Sequence, residues 1–248
     1  MFGLTGRKAL VTGATGGLGE EIARLLHKQG ATVGLHGTRV EKLEALAAEL
    51  GDRVKIFPAN LSDRAEVKAL GEKAEAELEG VDFLVNNAGI AIQGQLVDDP
   101  TLDGENYNRQ WQVNVMVTIA NTRAAAPRLT DGGRIIFVGS GLGSFVPFPG
   151  VADYAGTKWA LAGYAKGIAR DLGPRDITVN VVQPGIMPTD MAAEVAGELP
   201  NRDAILDMHP IRRIATLEEV AETICFLAGP HAGYINGQQI TLAGGLGI

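Results

Sequence analysis

A tyrosine and a lysine four positions apart are the residues in this chain that could carry out acid–base chemistry. Tyr154 and Lys158 fall in an amphipathic stretch, and a spacing of four places both side chains on one face of a helix. A phenol can give its proton to a carbonyl oxygen. A cation beside the phenol favours the phenolate and should lower the phenol pKa from about 10 towards about 7. Ser140 follows an apolar run, and its hydroxyl could stabilise charge on the same oxygen.

A glycine-rich turn near the N-terminus could bind a phosphate group. It follows an apolar run that ends in Val11 and Thr12, and it reads Gly13-Ala14-Thr15-Gly16-Gly17-Leu18-Gly19 before a helical pattern begins. Glycines let a pyrophosphate approach the backbone, and a helix N-terminus offers free N–H groups. The G-x-x-x-G-x-G spacing differs from G-x-G-x-x-G, and a tight strand–helix turn is the alternative interpretation. No Lys-Ser/Thr pair follows the glycines, which disfavours an ATPase.

Alternating strands and helices must position these residues. The predicted strands are Lys8–Thr12, Thr32–His36, Val54–Pro58, Val81–Asn86, Arg134–Gly139, Thr178–Gln183 and Gln239–Leu242. The predicted helices are Gly17–Gln29, Arg39–Leu50, Arg64–Leu78, Leu102–Pro127, Asp153–Asp171 and Leu217–Ala228. The strands are nearly continuous Val/Ile/Leu runs, which is typical of parallel strands buried on both faces. The pattern predicts a Rossmann-type α/β fold, a doubly wound seven-stranded parallel sheet with helices on both faces.

The composition of the 248-residue chain excludes several other classes of protein. Hydrophobic residues make up 46%, enough for one large core, and we expect a single domain over residues 1–248. The net charge of −7 argues against a nucleic-acid partner. Cys225 is the only cysteine, which excludes an intrachain disulfide, and the four histidines show no metal-ligand spacing, so no metal is expected. The absence of a long apolar run or a leader-like N-terminus predicts a cytoplasmic protein with no membrane partner.

Further small and polar residues follow the other predicted strands. Ligands of such sheets bind beyond the carboxyl ends of the strands. The residues at those ends are Asn86, Asn87, Ala88 and Gly89 after the fourth strand, Ser140 after the fifth, and Pro184, Gly185 and Thr189 after the sixth. Each could be an ordinary turn residue, and a tyrosine or lysine could simply be packed or solvated. Their common placement at one edge favours a single site. Ser140 is not a hydrolase nucleophile of the G-x-S-x-G type, because residue 138 is valine.

Taken together, these motifs resemble the short-chain dehydrogenase/reductase family over nearly the whole chain. The matching residues are Thr12, Gly13, Gly17, Gly19, Asn86, Asn87, Ala88, Gly89, Asn114, Ser140, Tyr154, Lys158, Pro184 and Gly185. The resemblance implies hydride transfer between a nicotinamide and a carbonyl or alcohol carbon. It implies a catalytic set of Asn114, Ser140, Tyr154 and Lys158, in which Asn114 holds a water that relays protons to Lys158. Lys158 would also hold the nicotinamide ribose hydroxyls.

The end of the second strand bears on which nicotinamide cofactor is used. NAD-preferring relatives place an aspartate there, whereas this chain has Thr38 and Arg39, which could receive a 2′-phosphate. Gly16 is a departure from the NADP pattern, because NADP-type relatives often have a basic residue at this position. Since Thr38 and Arg39 replace the aspartate, we expect NADP(H), with NAD(H) as the alternative. The cofactor-binding residues so implied are Gly13, Thr15, Gly16, Gly17, Leu18, Gly19, Thr38, Arg39, Asn60, Leu61, Asn87, Ala88, Gly89, Tyr154, Lys158, Pro184, Gly185 and Thr189.

The substrate is less closely defined than the cofactor. Residues 1–89 are most similar to 3-oxoacyl-[acyl-carrier-protein] reductases of fatty-acid biosynthesis, and the rest is similar to general ketone reductases of the family. Arg128 and Arg175 could dock an acyl carrier protein, whereas Asp131 has the wrong sign. An apolar substrate pocket under a small lid around residues 186–212 could be lined by Phe145, Val146, Phe148, Met187 and Met191, or these residues could belong to the core.

Three functions remain open at this point. The first is reduction of a 3-oxoacyl thioester. The second is reduction or oxidation of small or cyclic ketones and alcohols. The third is a nucleotide-binding module without turnover, which the intact Ser140, Tyr154 and Lys158 disfavour. The resemblance also implies a homotetramer.

Overall fold

Seven parallel strands form one sheet in the order β3-β2-β1-β4-β5-β6-β7, which confirms the predicted Rossmann-type fold. The computed structural model describes residues 2–191 and 202–247. The strands are β1 (Lys8–Val11), β2 (Thr32–Gly37), β3 (Val54–Pro58), β4 (Val81–Asn86), β5 (Leu129–Val138), β6 (Thr178–Pro184) and β7 (Gln239–Leu242). The strand order reverses between β1 and β4, and such a reversal opens a crevice beyond the carboxyl ends.

Helices cover both faces of the sheet. They are α1 (Gly17–Lys28), α2 (Val40–Leu50), α3 (Arg64–Leu78), α4 (Gly104–Trp111), α5 (Thr118–Ala125), α6 (Ala152–Leu172), α7 (Arg202–Asp207) and α8 (Leu217–Ala228). One core layer buries Ile22 of α1, Leu43 of α2 and Ile224 of α8. The opposite layer buries Leu70 of α3 and Leu161 of α6. Burial on both faces explains why the strands read as continuous apolar runs.

The ends of several elements differ from the predicted bounds by one residue. The elements are β1, β2, β6, α1, α2 and α6. At β1, the Thr12 hydroxyl donates to Val85 O at 3.3 Å and accepts from Asn87 N at 3.0 Å, so this residue turns towards β4 instead of extending the strand. At α2, Arg39 is the N-cap residue and the helix begins at Val40. At β1, hydrogen bonds to residues distant in sequence set the end, and apolar periodicity does not report it.

The fifth strand starts earlier than predicted, at Leu129 instead of Arg134, and ends at Val138. Leu129 pairs with Val81, and an irregularity between Val81 and Phe83 interrupts the ladder before Arg134 pairs with Phe83. The polar segment between Leu129 and Arg134 interrupts the apolar pattern, so the sequence does not indicate the first part of the strand.

The long helix predicted over Leu102–Pro127 is divided into four helical segments, of which the last is a 3-10 turn, Ala126–Arg128. It begins at Gly104, because the Asp103 side chain caps it by accepting from Asn106 N at 3.1 Å. A π-helical segment, Gln112–Val117, separates α4 from α5. Such π-bulges occur frequently at functional sites, and this one contains Asn114.

The segment predicted as a lid is described only in part. Residues 192–201 lie outside the described residues, and α7 follows them. The chain then returns to the sheet, where Ile211 N donates to Gly244 O and Ala215 N to Ile186 O, both at 2.9 Å. Within the described residues, no helix is both long enough and apolar enough to cross a bilayer.

His36 lies near the carboxyl end of β2 and is only 2% exposed. Its Nε2 is 3.0 Å from Ala59 O, so Nε2 carries the proton that is donated. Nδ1 is buried and has no hydrogen-bond partner among the described residues. Burial is the main cause that lowers the pKa of His36 to about 4.

We expect His36 to make the folding stability depend on pH between its two pKa values. The unfolded ring binds a proton below 6.5, whereas the folded ring stays neutral down to about 4. Stability is therefore complete above this window and falls as the pH drops through it, by about 2 kcal/mol at about pH 5. Urea unfolding of the wild type and of His36→Gln, which keeps a donor for Ala59 O but cannot ionise, measures the effect. Equal losses in both proteins would contradict the prediction.

Candidate active site

A cavity of about 520 Å³ lies along the carboxyl edge of the sheet, beside the point where β1 and β4 diverge. It extends from the glycine-rich turn to Tyr154 and Lys158. All the predicted cofactor-binding residues line it except Pro184 and Gly185. The cavity therefore lies where the sequence predicts the cofactor site, and its size suits a nucleotide-sized ligand.

The glycine-rich turn is fastened directly to the end of β4. Asn87 Nδ2 donates to Thr12 O and to Gly13 O, each at 3.1 Å. A Cβ at Gly19 would lie 2.1 Å from Gly13 O, and Gly13 itself has φ +66°. Only glycine fits these two positions without moving the backbone.

The N-terminus of α1 opens into the cavity. Its N-cap residue is Gly16, which has no side chain to cap the helix. A Cβ added at Gly16 would meet no atom closer than 3.8 Å, so open space faces the first turn. The free N–H groups and the helix dipole therefore face open space, and this arrangement fits the pyrophosphate of a dinucleotide cofactor.

Arg39 lies against the same turn from the end of β2. Its Nη2 donates to Thr15 O at 2.5 Å and its Nε to Thr15 Oγ1 at 3.3 Å. Arg39 and Thr38 are both exposed and both line the cavity. A guanidinium held at this end suits an anionic group on the adenosine part of a dinucleotide.

At the other end of the cavity, α6 presents Tyr154 and Lys158 beside Ser140. Lys158 Nζ donates to Val138 O at 3.2 Å and lies 5.7 Å from the centre of the Tyr154 ring. Burial lowers the pKa of Lys158 to about 8. Burial raises the pKa of Tyr154, and hydrogen bonding with Ser140 opposes that increase.

The raised pKa of Tyr154 differs from the expectation that Lys158 would bring it towards neutrality. Tyr154 is 8% exposed and Lys158 is 5% exposed, so removal from water disfavours the charged form of each residue. Desolvation therefore dominates in this structure. The consequence is a phenol that keeps its proton at neutral pH, the form that a general acid needs.

Asn114 lies in the π-helical segment and is 1% exposed. Its Oδ1 accepts from Ile90 N at 2.8 Å, and its Nδ2 donates to Ile90 O at 2.9 Å and to Thr157 Oγ1 at 3.2 Å. The amide thus joins the loop after β4 to α6, one residue before Lys158. These bonds use both N–H groups of the amide, so its side chain acts here as a structural link.

The structure separates the five predicted substrate-pocket residues. Met187 and Met191 line the cavity, whereas Phe145, Val146 and Phe148 do not. Phe145 packs against the C-terminal tail, where a Cβ at Gly247 would lie 2.9 Å from its ring. Gly185 lines a second cavity of about 220 Å³ beside the first part of this tail. The fold of the tail decides these positions, and no local pattern indicates them.

Sequence reasoning missed one wall of the cavity, which Arg109, Val113 and Val117 provide. These residues are four apart, so they share one face of the helical region around Asn114. That spacing is visible in the sequence and could have identified them.

A glycine turn at the first strand, a basic residue after the second and a buried Tyr–Lys pair after the fifth define the class of nicotinamide-dependent oxidoreductases on a Rossmann-type sheet. A family model described as "Enoyl-(Acyl carrier protein) reductase" matches residues 13–247. The chain belongs to the short-chain dehydrogenase/reductase family, whose members are NAD(P)-dependent oxidoreductases.

Three relatives illustrate this membership. Nodulation protein G of Rhizobium sp. (strain N33) is 49% identical over 250 residues, covering 100% of both chains. The 3-oxoacyl-[acyl-carrier-protein] reductase FabG of Escherichia coli (strain K12) is 35% identical over 243 residues, covering 97% of both. A short chain dehydrogenase from Burkholderia cenocepacia J2315, solved in complex with NADP, superposes with a TM-score of 0.90 at 37% identity, covering 99% of both chains.

We expect Tyr154→Phe to lower kcat for ketone reduction by about 100- to 10,000-fold, the usual contribution of a general acid. The ring remains, so the unfolding midpoint should stay unchanged and cofactor affinity should fall far less than kcat. Tyr164→Phe is the matched control, because Tyr164 lies on the same helix and packs against Phe137 at 6.1 Å between ring centres. Comparable kcat values for Tyr154→Phe and the control would contradict the assignment.

Proposed function

We propose that this chain reduces the keto group of a 3-oxoacyl thioester to a secondary alcohol with NADPH. The observation that carries the proposal is one cavity with a phenol and an ammonium at one end and an exposed guanidinium at the other. The similarity to FabG of Escherichia coli supports the thioester as the substrate class.

The residues around the turn would hold the two ends of NADPH. The first turn of α1 would bind the pyrophosphate through its N–H groups. Arg39 and Thr38 would bind the 2′-phosphate, while Asn60 and Leu61 would lie against the adenine. Asn60 N donates to Glu66 Oε2 at 2.6 Å, which fixes this loop. NADP bound to the Burkholderia relative supports the same cofactor here.

Bound NADPH would supply a hydride to the carbonyl carbon. Tyr154 would give its hydroxyl proton to the carbonyl oxygen, and Ser140 would donate a hydrogen bond to that oxygen. Lys158, with a pKa of about 8, remains mainly a cation at neutral pH. It would hold the ribose hydroxyls and stabilise the phenolate that Tyr154 becomes after proton transfer. A proton relay at Asn114 would use its main-chain carbonyl, because the side-chain amide is already hydrogen-bonded to Ile90 and Thr157.

Two arginines that could dock an acyl carrier protein already have carboxylate partners. Arg175 Nε is 2.8 Å from Asp131 Oδ1, and Arg128 lies 3.0 Å from Glu75 and 3.5 Å from Glu72. Paired arginines present little net positive charge to an acidic carrier. This observation disfavours delivery of the substrate by an acyl carrier protein. It fits a thioester that arrives without the carrier, and it favours the second candidate function, in which the substrate is a small or cyclic ketone or alcohol.

The assembly and the lid are part of the same proposal. Met116 of the π-helical segment and Trp159 of α6 are each 53% exposed, and we propose that this apolar face packs against a second copy in a homotetramer. Met187 and Met191 would form the inner side of a substrate lid within one domain. We further propose that the protein is located in the cytoplasm and acts in fatty-acid biosynthesis.

We expect Arg39→Ala to weaken NADPH binding by about 10- to 100-fold, which corresponds to losing one or two charge-assisted hydrogen bonds. NADH lacks the 2′-phosphate, so its affinity should stay within about twofold. Fluorescence titration with both cofactors measures the difference, and Arg170→Ala, another exposed arginine, is the control. Equal weakening of both cofactors would show that Arg39 does not bind the phosphate.

The loss of nicotinamide absorbance tests the substrate class. We expect rapid turnover of acetoacetyl-CoA with NADPH, and no gain when the same acyl group is carried by an acyl carrier protein. Turnover only with small or cyclic ketones would replace the thioester by the second candidate. NADPH binding without turnover of any carbonyl compound would indicate the nucleotide-binding module and overturn the proposed reaction.

A further inference from the structure

The loop that carries Ser140 is short and has little internal rigidity. Ser140 has extended backbone, and a single 3-10 turn, Gly141–Gly143, follows it. The Ser140 hydroxyl accepts from Leu142 N at 3.2 Å within this turn. Two of the three turn residues are glycines, which have the largest conformational freedom. Contacts with other elements must therefore hold the Ser140 hydroxyl in place.

One side of the turn rests on α6. A Cβ at Gly143 would lie 3.2 Å from the Cβ and the carbonyl carbon of Lys158, so the turn packs directly on the helix backbone. This van der Waals contact sets the distance between the turn and the helix. It does not by itself set the rotation of the turn.

The other side of the turn is bonded to Gln183. Ser144 Oγ donates to Gln183 Oε1 at 2.7 Å. The same oxygen accepts from Thr241 Oγ1 at 3.1 Å, and Gln183 Nε2 is 3.3 Å from Gln239 Oε1. Gln183 is 0% exposed and immediately precedes Pro184, the last residue of β6. Its amide thus links the catalytic loop to β6 and β7.

The sheet makes room for this glutamine under the catalytic loop. A Cβ at Gly139, the residue before Ser140, would lie 3.1 Å from Gln183 Cγ and 2.9 Å from Val181 Cγ1. A buried amide is costly unless its polar atoms are bonded, and an apolar residue would fill the same space without that cost. The retained polar group calls for a role beyond packing.

We propose that Gln183 is a positioning residue. Through Ser144 it fixes the turn Gly141–Gly143 and with it the direction of the Ser140 hydroxyl towards Tyr154 and the substrate oxygen. This inference rests on the roles of Ser140 and Tyr154 in the proposed function. The specificity of the site for a correctly placed carbonyl then depends on the Gln183 amide, which does not line the cofactor cavity.

Two variants that remove hydroxyls from the same amide oxygen test the proposal. Ser144→Ala removes the bond on the catalytic loop, and Thr241→Val removes the bond from the neighbouring strand. Both residues are exposed, and each change leaves Gln183 Oε1 with one partner. A structural role alone would make the two variants equivalent. Thermal unfolding of both checks that they fold alike.

We expect Ser144→Ala to lower kcat by about 5- to 50-fold, less than the roughly 100- to 1,000-fold effect of removing an oxyanion donor, which Ser140→Ala measures. The KM for NADPH should stay unchanged, because neither Ser144 nor Gln183 lines the cofactor cavity. Thr241→Val should keep kcat within about twofold of the wild type.

The pH profile of kcat gives a second readout. Hydrogen bonding with Ser140 lowers the pKa of Tyr154. A loosened Ser140 should therefore raise that pKa and move the alkaline limb of ketone reduction to higher pH in Ser144→Ala. The limb should not move in Thr241→Val.

The outcomes separate this inference from the proposed function. No turnover by the wild type, on acetoacetyl-CoA or on small and cyclic ketones, overturns both. Wild-type turnover with equal kcat values and equal pH limbs in Ser144→Ala and Thr241→Val overturns the positioning role alone. A loss of kcat together with a shifted limb in Ser144→Ala only supports it.

Discussion

Burial of the parallel sheet on both faces is the constraint from which the rest of this structure follows. Val11, Val85 and Phe137 are 0% exposed, so the central strands β1, β4 and β5 have no surface on which a functional group could face water. Polar side chains of the central strands therefore reach a cavity only at or beyond the strand ends. Thr12, Asn87 and Ser140 occupy these positions, and the strand order brings the first two together at the reversal point. The cavity lies at the carboxyl edge, where the reversal of strand order opens a crevice.

The same burial sets the chemistry at that edge. Lys158 and Tyr154 lie on a helix that packs against the sheet, and desolvation moves the pKa of the lysine down and that of the tyrosine up. The two shifts favour neutral forms. At neutral pH they leave a phenol that still holds its proton beside an amine that is still largely charged. These are the states needed to protonate a reduced carbonyl oxygen.

Long-range hydrogen bonds from amide side chains hold the turns of the site. Asn87 fastens the glycine turn to β4, Asn114 joins the loop after β4 to α6, and Gln183 ties the serine loop to β6. Each amide bridges segments that are far apart in sequence. Because turns rich in glycine have little rigidity of their own, these bridges restrain the backbone around the cavity.

The sequence by itself determined the sheet, most of its helices and the edge at which the main cavity lies. Those features depend on local patterns, namely apolar runs, helical spacing and glycine at tight turns. The tertiary structure decided the π-helical segment at Asn114, the early start of β5, the raised pKa of Tyr154 and the separation of Phe145, Val146 and Phe148 from the cavity. Each of these depends on which distant segment packs against the residue. Desolvation and backbone pairing arise only when the chain is folded, so no window of sequence contains them.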